Sequence, residues 1–280
     1  MFSCLSHDGY TNPPAILADE MTNRSDLPKV EQLLGYSFLD KEIGTAALRT
    51  DRSGFSRLEF LGDAIMGLSV YTVAICRDIP IPDIDRLVSN RNLDEIYRSR
   101  FAGCASSETG DVVEALIAAV YLDGGFQSAA PVTTSLLLSE HRDFSFATTQ
   151  DLASTMEAPR LFALGAHVSK AVIADHLSAT SPKERAHWYS TTSKGLLKSE
   201  RLAHICRKHH LEDHGLRRPP EPERVKRALF GIEAEMKAKR VLEAHLADMV
   251  DGHAALQYLN LGWDVAKSDI ASILEVSAMP

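Results

Sequence analysis

Two pairs of acidic residues have a spacing that could do chemistry. Glu59 and Asp63 are four apart, and Asp111 and Glu114 are three apart. On helices, each pair projects from a single face. Two such helices side by side would gather four carboxylates around one point. Crowded carboxylates repel, and burying them is costly. A hard divalent cation resolves that conflict. Mg²⁺ prefers oxygen ligands and works on phosphate substrates, with Mn²⁺ as an alternative. The matching chemistry is phosphodiester hydrolysis by water that the metal activates. A plainer reading also holds: acidic pairs near helix N-termini favour the dipole and are usually solvated. Against it, Glu59 and Asp63 interrupt the otherwise apolar run Leu58-x-Phe60-Leu61-Gly62-x-Ala64-Ile65. Carboxylates placed in such a run need a compensating partner.

The elements that must position these groups read as helices, and no run alternates with a period of two. Residues 28–48 suggest two short helices joined at Gly35-Tyr36. Residues 57–76 suggest a long apolar helix ended by Pro80 and Pro82. Helical spacing continues over 84–101. Residues 111–122 form another helix, stopped by Asp123-Gly124-Gly125. A linker is expected over 143–153, with helices resuming at 160–177, 194–210 and 223–248. Three weak internal matches keep their order. Arg160–Ala166 aligns with Arg57–Asp63, Leu196–Leu202 with Leu87–Leu93, and Val225–Gly231 with Val112–Ala118. The second half reads as a diverged copy of the first.

Composition is that of an ordinary globular protein, 45% apolar and 24% charged. No run approaches about 18 consecutive apolar residues, so no membrane span is expected. The first 26 residues have neither a basic start nor an apolar run, which argues against a targeting signal. The expected compartment is the cytoplasm, with an organelle as the alternative. Cys4, Cys76, Cys104 and Cys206 form no C-x-x-C pair, so reduced thiols are expected. Cys206 lies near His204, His209 and His210, but zinc spacing would need a second cysteine pair. Net charge is −8, unevenly spread. Residues 1–140 hold 11 Lys+Arg against 20 Asp+Glu, and residues 141–280 hold 19 against 18. A phosphate-facing surface is therefore expected in the second half, or built from local Arg clusters.

Arg57-Leu58-Glu59-Phe60-Leu61-Gly62-Asp63-Ala64 resembles the signature helix of the ribonuclease III family. Asp111-Val112-Val113-Glu114-Ala115-Leu116-Ile117-Ala118-Ala119-Val120-Tyr121-Leu122-Asp123-Gly124-Gly125 resembles its second acidic motif, and Leu33–Phe38 its N-terminal helix junction. The resemblance covers about residues 28–130. It implies an all-α domain that cuts double-stranded RNA with Mg²⁺, leaving 5′ phosphate and 3′ hydroxyl ends. By carry-over, Glu59, Asp63, Asp111 and Glu114 are the catalytic, metal-binding carboxylates. Such domains pair about a two-fold axis, and Phe60 would pack across it. Ser56 stands where the family often has a further Glu. Another acid of the family has no clean match, with Asp83 or Asp85 as substitutes. No double-stranded-RNA-binding domain is seen.

These readings combine as follows. A loose tail covers 1–27, a ribonuclease III-type catalytic domain 28–142, a linker 143–153 and a degenerate second copy 154–280. The two domains would form an intramolecular pseudo-dimer, with a homodimer as the alternative. On the alignment above, Glu59 becomes Phe162, Asp63 becomes Ala166, Asp111 becomes Arg224 and Glu114 becomes Arg227, so the second copy would hold no metal. Arg217, Arg218, Arg224 and Arg227 are candidate RNA contacts, unless this basic stretch is a helix face balanced by nearby glutamates. The rival function is an inactive, structural RNA-binding member of a ribonucleoprotein or ribosome assembly.

Overall fold

The computed structural model describes residues 26–50, 53–105, 109–138, 156–211 and 232–276. Among these, every regular element is helical. Helix α1 (26–34) ends at Gly35, whose φ of +66° suits glycine. Asp40 caps α2 (Lys41–Ala47), its side chain accepting from the Glu42 N–H at 2.9 Å. The long helix α3 (Ser53–Cys76) starts before Arg57 and stops before either proline. Pro80 instead forms the N-cap of the next helix, α4 (Ile81–Leu87), with Pro82 in its first turn, where a missing N–H costs nothing.

The one helix expected over 84–101 is two. Ser89 breaks it by capping α5 (Asn90–Ile96), its hydroxyl accepting from the Asn92 N–H at 3.4 Å. A π-helical turn over Tyr97–Phe101 extends α5. Helix α6 (Asp111–Gly124) ends at Gly125, with φ +73°. It is followed by α7 (Phe126–Leu137), which the sequence reading did not anticipate.

The remaining helices are α8 (Ala158–Thr180), α9 (Ala186–Leu196), α10 (Ser199–Lys208), α11 (Ile232–Leu261) and α12 (Trp263–Ile273). The helix expected over 194–210 is likewise divided, at Leu197-Lys198. The proposed linker lies outside the described residues.

Two apolar helices organise the interior. α3 carries α6 and α7, α8 carries α11 and α12, and α3 packs on α8. By length and composition α3 could cross a membrane, yet its neighbours bury most of it. This is the pattern of a central core helix, apolar all round.

Contacts along the α3–α8 seam recur in reciprocal pairs. The Tyr121 hydroxyl of α6 donates to Asp175 Oδ1 of α8 at 2.7 Å, and the Tyr258 hydroxyl of α11 lies 3.2 Å from Thr72 Oγ1 of α3. Phe126 meets Tyr258 edge-on at 6.1 Å, and Trp263 meets Tyr121 edge-on at 6.4 Å. Phe126 and Trp263 also face each other, ring centroids 5.3 Å apart. Trp263 is almost wholly buried at this junction and donates its indole N–H to Tyr121 at 3.3 Å. Trp263→Ala is expected to cost about 3–5 kcal/mol of stability, read by urea unfolding.

Candidate metal centre

The site forms because α3 and α6 approach more closely than side chains normally permit. Gly62 makes that possible: a Cβ added there would lie 1.8 Å from the Glu114 carbonyl oxygen. The contact sets the acidic turn of α3 against that of α6. Tyr36 and the chain after it hold the far end of α6. The Tyr36 hydroxyl and the Leu39 and Asp40 N–H groups all donate to Asp123, each at 2.8 Å. The three motifs singled out in the sequence thus meet in one unit.

Glu59, Asp111 and Glu114 converge so that one carboxylate oxygen of each lies within 4.8 Å of the others. Asp63 stands beside this trio, but its Oδ2 is taken by Lys170 Nζ of α8 at 2.6 Å. All four predicted acids line one cleft of about 550 Å³. Glu114 is buried, and its carboxyl is pushed up to about 9 by burial, then by Asp63, Asp111 and Glu59, with Lys170 partly offsetting them. Glu59 is raised by burial, Asp111 and Asp63.

These are the signs of a cluster short of positive charge. Three clustered oxygens, one on a buried acid that resists ionisation, fit a hard divalent cation. Loading such an ion must expel the proton from Glu114. Mn²⁺ affinity is therefore expected to rise with pH across the interval from the ordinary glutamate range up to about 9, and to level off above it. Calorimetric titration in buffers of different protonation enthalpy checks this; affinity that falls with pH would contradict it.

Asp83 and Asp85 do not reach the site. Asp83 pairs with Arg86 at 2.9 Å, and Asp85 accepts from the Tyr71 hydroxyl. Asn90, at the start of α5, lines the cleft instead, as does Ser56.

The wall opposite the acids comes from the second half. It carries Lys170 of α8 and His187, Ser190, Ser193 and Lys194 of α9. The sequence reading missed these residues. For the α9 residues the one available signal was a polar stripe at helical spacing from His187 to Lys194. Phe60 of α3 stacks on Tyr189 of α9 at 5.0 Å, 16° from parallel, joining α3 to the second half.

Part of the chain is similar to known proteins. The chain is 36% identical to a Sinorhizobium medicae protein named Ribonuclease 3 over 135 residues, 38% of this chain and 56% of the relative. It is 30% identical to the Rhodopseudomonas palustris Ribonuclease 3 over 144 residues, 40% of this chain and 52% of the relative. The Ruegeria pomeroyi Ribonuclease 3 matches at 32% over 139 residues, 40% and 62% respectively. Over that stretch the chain is related to the ribonuclease III family. No family model matches the chain. The chain spans between about half and three-fifths of the length of these relatives.

The all-helical architecture of the described residues is consistent with the ribonuclease III relationship. Arg217, Arg218, Arg224 and Arg227, read as RNA contacts, lie outside the described residues, as does the match over Val225–Gly231. Among the described residues, one contact of the second half parallels that of Gly62. Gly165 of α8 meets the backbone of Asp251 as Gly62 meets that of Glu114, its added Cβ 1.7 Å from the Asp251 carbonyl oxygen. Asp251 thus stands to Gly165 as Glu114 stands to Gly62.

Proposed function

We propose that the protein is a divalent-metal-dependent endoribonuclease that cuts double-stranded RNA, leaving 5′ phosphate and 3′ hydroxyl ends. The observation that carries this is the convergence of Glu59, Asp111 and Glu114, with Asp63 beside them, in an open cleft. Mg²⁺ or Mn²⁺ bound there would activate water and stabilise charge on the leaving oxygen. Glu59, Asp111 and Glu114 would hold the ion. Lys194 and His187, exposed on the opposite wall, face the backbone of the bound duplex.

The second half serves as the partner of the first in an intramolecular pseudo-dimer. The reciprocal contacts of Tyr121 with Asp175, Tyr258 with Thr72, and Phe126 with Trp263 support a local two-fold relation, the hallmark of an isologous interface. In the register set by Gly165 and Asp251, Asp248-Met249-Val250-Asp251 corresponds to Asp111-Val112-Val113-Glu114. Tyr258-Leu259 then corresponds to Tyr121-Leu122, and Gly262-Trp263 to Gly125-Phe126. Gly262 repeats the left-handed turn of Gly125, with φ +76° against +73°. With Phe162 and Ala166 at the positions of Glu59 and Asp63, the second site retains two acids of four. One of these, Asp251, accepts from the Ser169 hydroxyl at 2.8 Å. The chain therefore carries a single working centre.

Incubating labelled RNA duplex with purified protein tests this reading. Mg²⁺ is expected to give products with 5′ phosphates, EDTA to stop the reaction, and single strands to survive. Duplex binding without cutting under any metal would favour the structural RNA-binding role.

A further inference from the structure

We infer that Lys170 acts as a resident cation of the metal centre, holding Asp63 out of the ligand set so that the site takes one divalent ion instead of two. This rests on the metal-site reading above and specifies its stoichiometry. Four carboxylates line the cleft, yet only Glu59, Asp111 and Glu114 bring their oxygens within 4.8 Å of one another. Asp63 is excluded by its partner: Lys170 Nζ sits 2.6 Å from Asp63 Oδ2. Both side chains are only partly exposed, 32% and 43%, so the pair is less screened than one at the open surface.

Lys170 reaches the site from the other half of the molecule, along the seam where α8 packs on α3. An ammonium at that distance does two things. It neutralises the carboxylate that a second ion would need, and its own charge repels a second ion near Asp63. The trio remains free for one ion. Lys170 is thus a positioning residue, contributed by the half that lacks a full acidic set of its own.

Mn²⁺ titration of the full chain, followed by the electron paramagnetic resonance signal of the free ion, tests the inference without relying on activity. The wild type is expected to take up one Mn²⁺ per chain. Lys170→Met should take up two, Lys170→Arg one, and Lys170→Met combined with Asp63→Asn one again. Should Lys170→Met fail to fold, Lys170→Gln is titrated in its place with the same expectation. Two ions in the wild type, or one in the charge-removed variant, would overturn the role of Lys170 and leave the metal site standing. Absence of uptake by the wild type, or uptake indifferent to Glu114→Gln, would reject the metal site itself and this inference with it.

Discussion

Glu114→Gln is expected to lower the rate of duplex cleavage by about 10³-fold or more while making the metal-free protein more stable. The opposite signs have one origin. Glu114 is buried among three other carboxylates, and its carboxyl is pushed up to about 9. A folded-state value above the unfolded one means the folded protein holds the proton more tightly. Stability is therefore lost progressively as pH rises from the ordinary glutamate range to about 9. Glutamine has no proton to lose, so its advantage grows across the same window, reaching about 1–3 kcal/mol near neutral pH. The same change removes the most buried ligand of the trio, and losing transition-state stabilisation of about 4 kcal/mol corresponds to that fall in rate. Thermal unfolding at pH 5 and pH 8 beside a cleavage assay checks both. A variant less stable than wild type at pH 8 would mean that Glu114 is held by partners and is not strained.

Gly62→Ala should be the most damaging single methyl in the first half. Its Cβ would fall 1.8 Å from the Glu114 carbonyl oxygen, and that neighbour is backbone that cannot swing away. α3 and α6 must part, at a cost of about 3–5 kcal/mol. Parting them also separates Glu59 from Glu114. Cleavage per folded molecule should fall sharply even at temperatures where the variant remains folded. Gly165→Ala meets the Asp251 carbonyl oxygen at 1.7 Å and should destabilise to a similar extent. It leaves the first-half acids in place, so cleavage per folded molecule should survive. Urea unfolding with activity measured on the folded fraction separates the two. Equal loss of specific activity in both would argue against a single centre in the first half.

The first half was legible because its signals are local. Acids at helical spacing within an apolar run, Gly62 among them, and the Asp123-Gly124-Gly125 stop all lie within short segments, and the structure places each near its expected position. The break at Ser89 was missed because helical spacing continues across it, and only the serine cap marks the end of one helix and the start of the next. The register proposed for the second half, around Asp251, was not legible for a related reason. Val225–Gly231 resembles Val112–Ala118 in composition and lies at an offset close to those of the earlier matches. The segment around Asp251 lies farther along, and its register is fixed by the contact of Gly165 with the Asp251 backbone, which depends on how two distant helices pack. Lys170 was illegible for the same reason: nothing in residues 166–174 indicates that this lysine crosses a helix seam to reach Asp63.

The most direct test of the metal centre is anomalous diffraction from crystals of the wild-type protein soaked in Mn²⁺. One peak is predicted, within ligand distance of carboxylate oxygens of Glu59, Asp111 and Glu114, with Lys170 still on Asp63. An empty trio at saturating Mn²⁺, or an ion bound only elsewhere, would contradict the account.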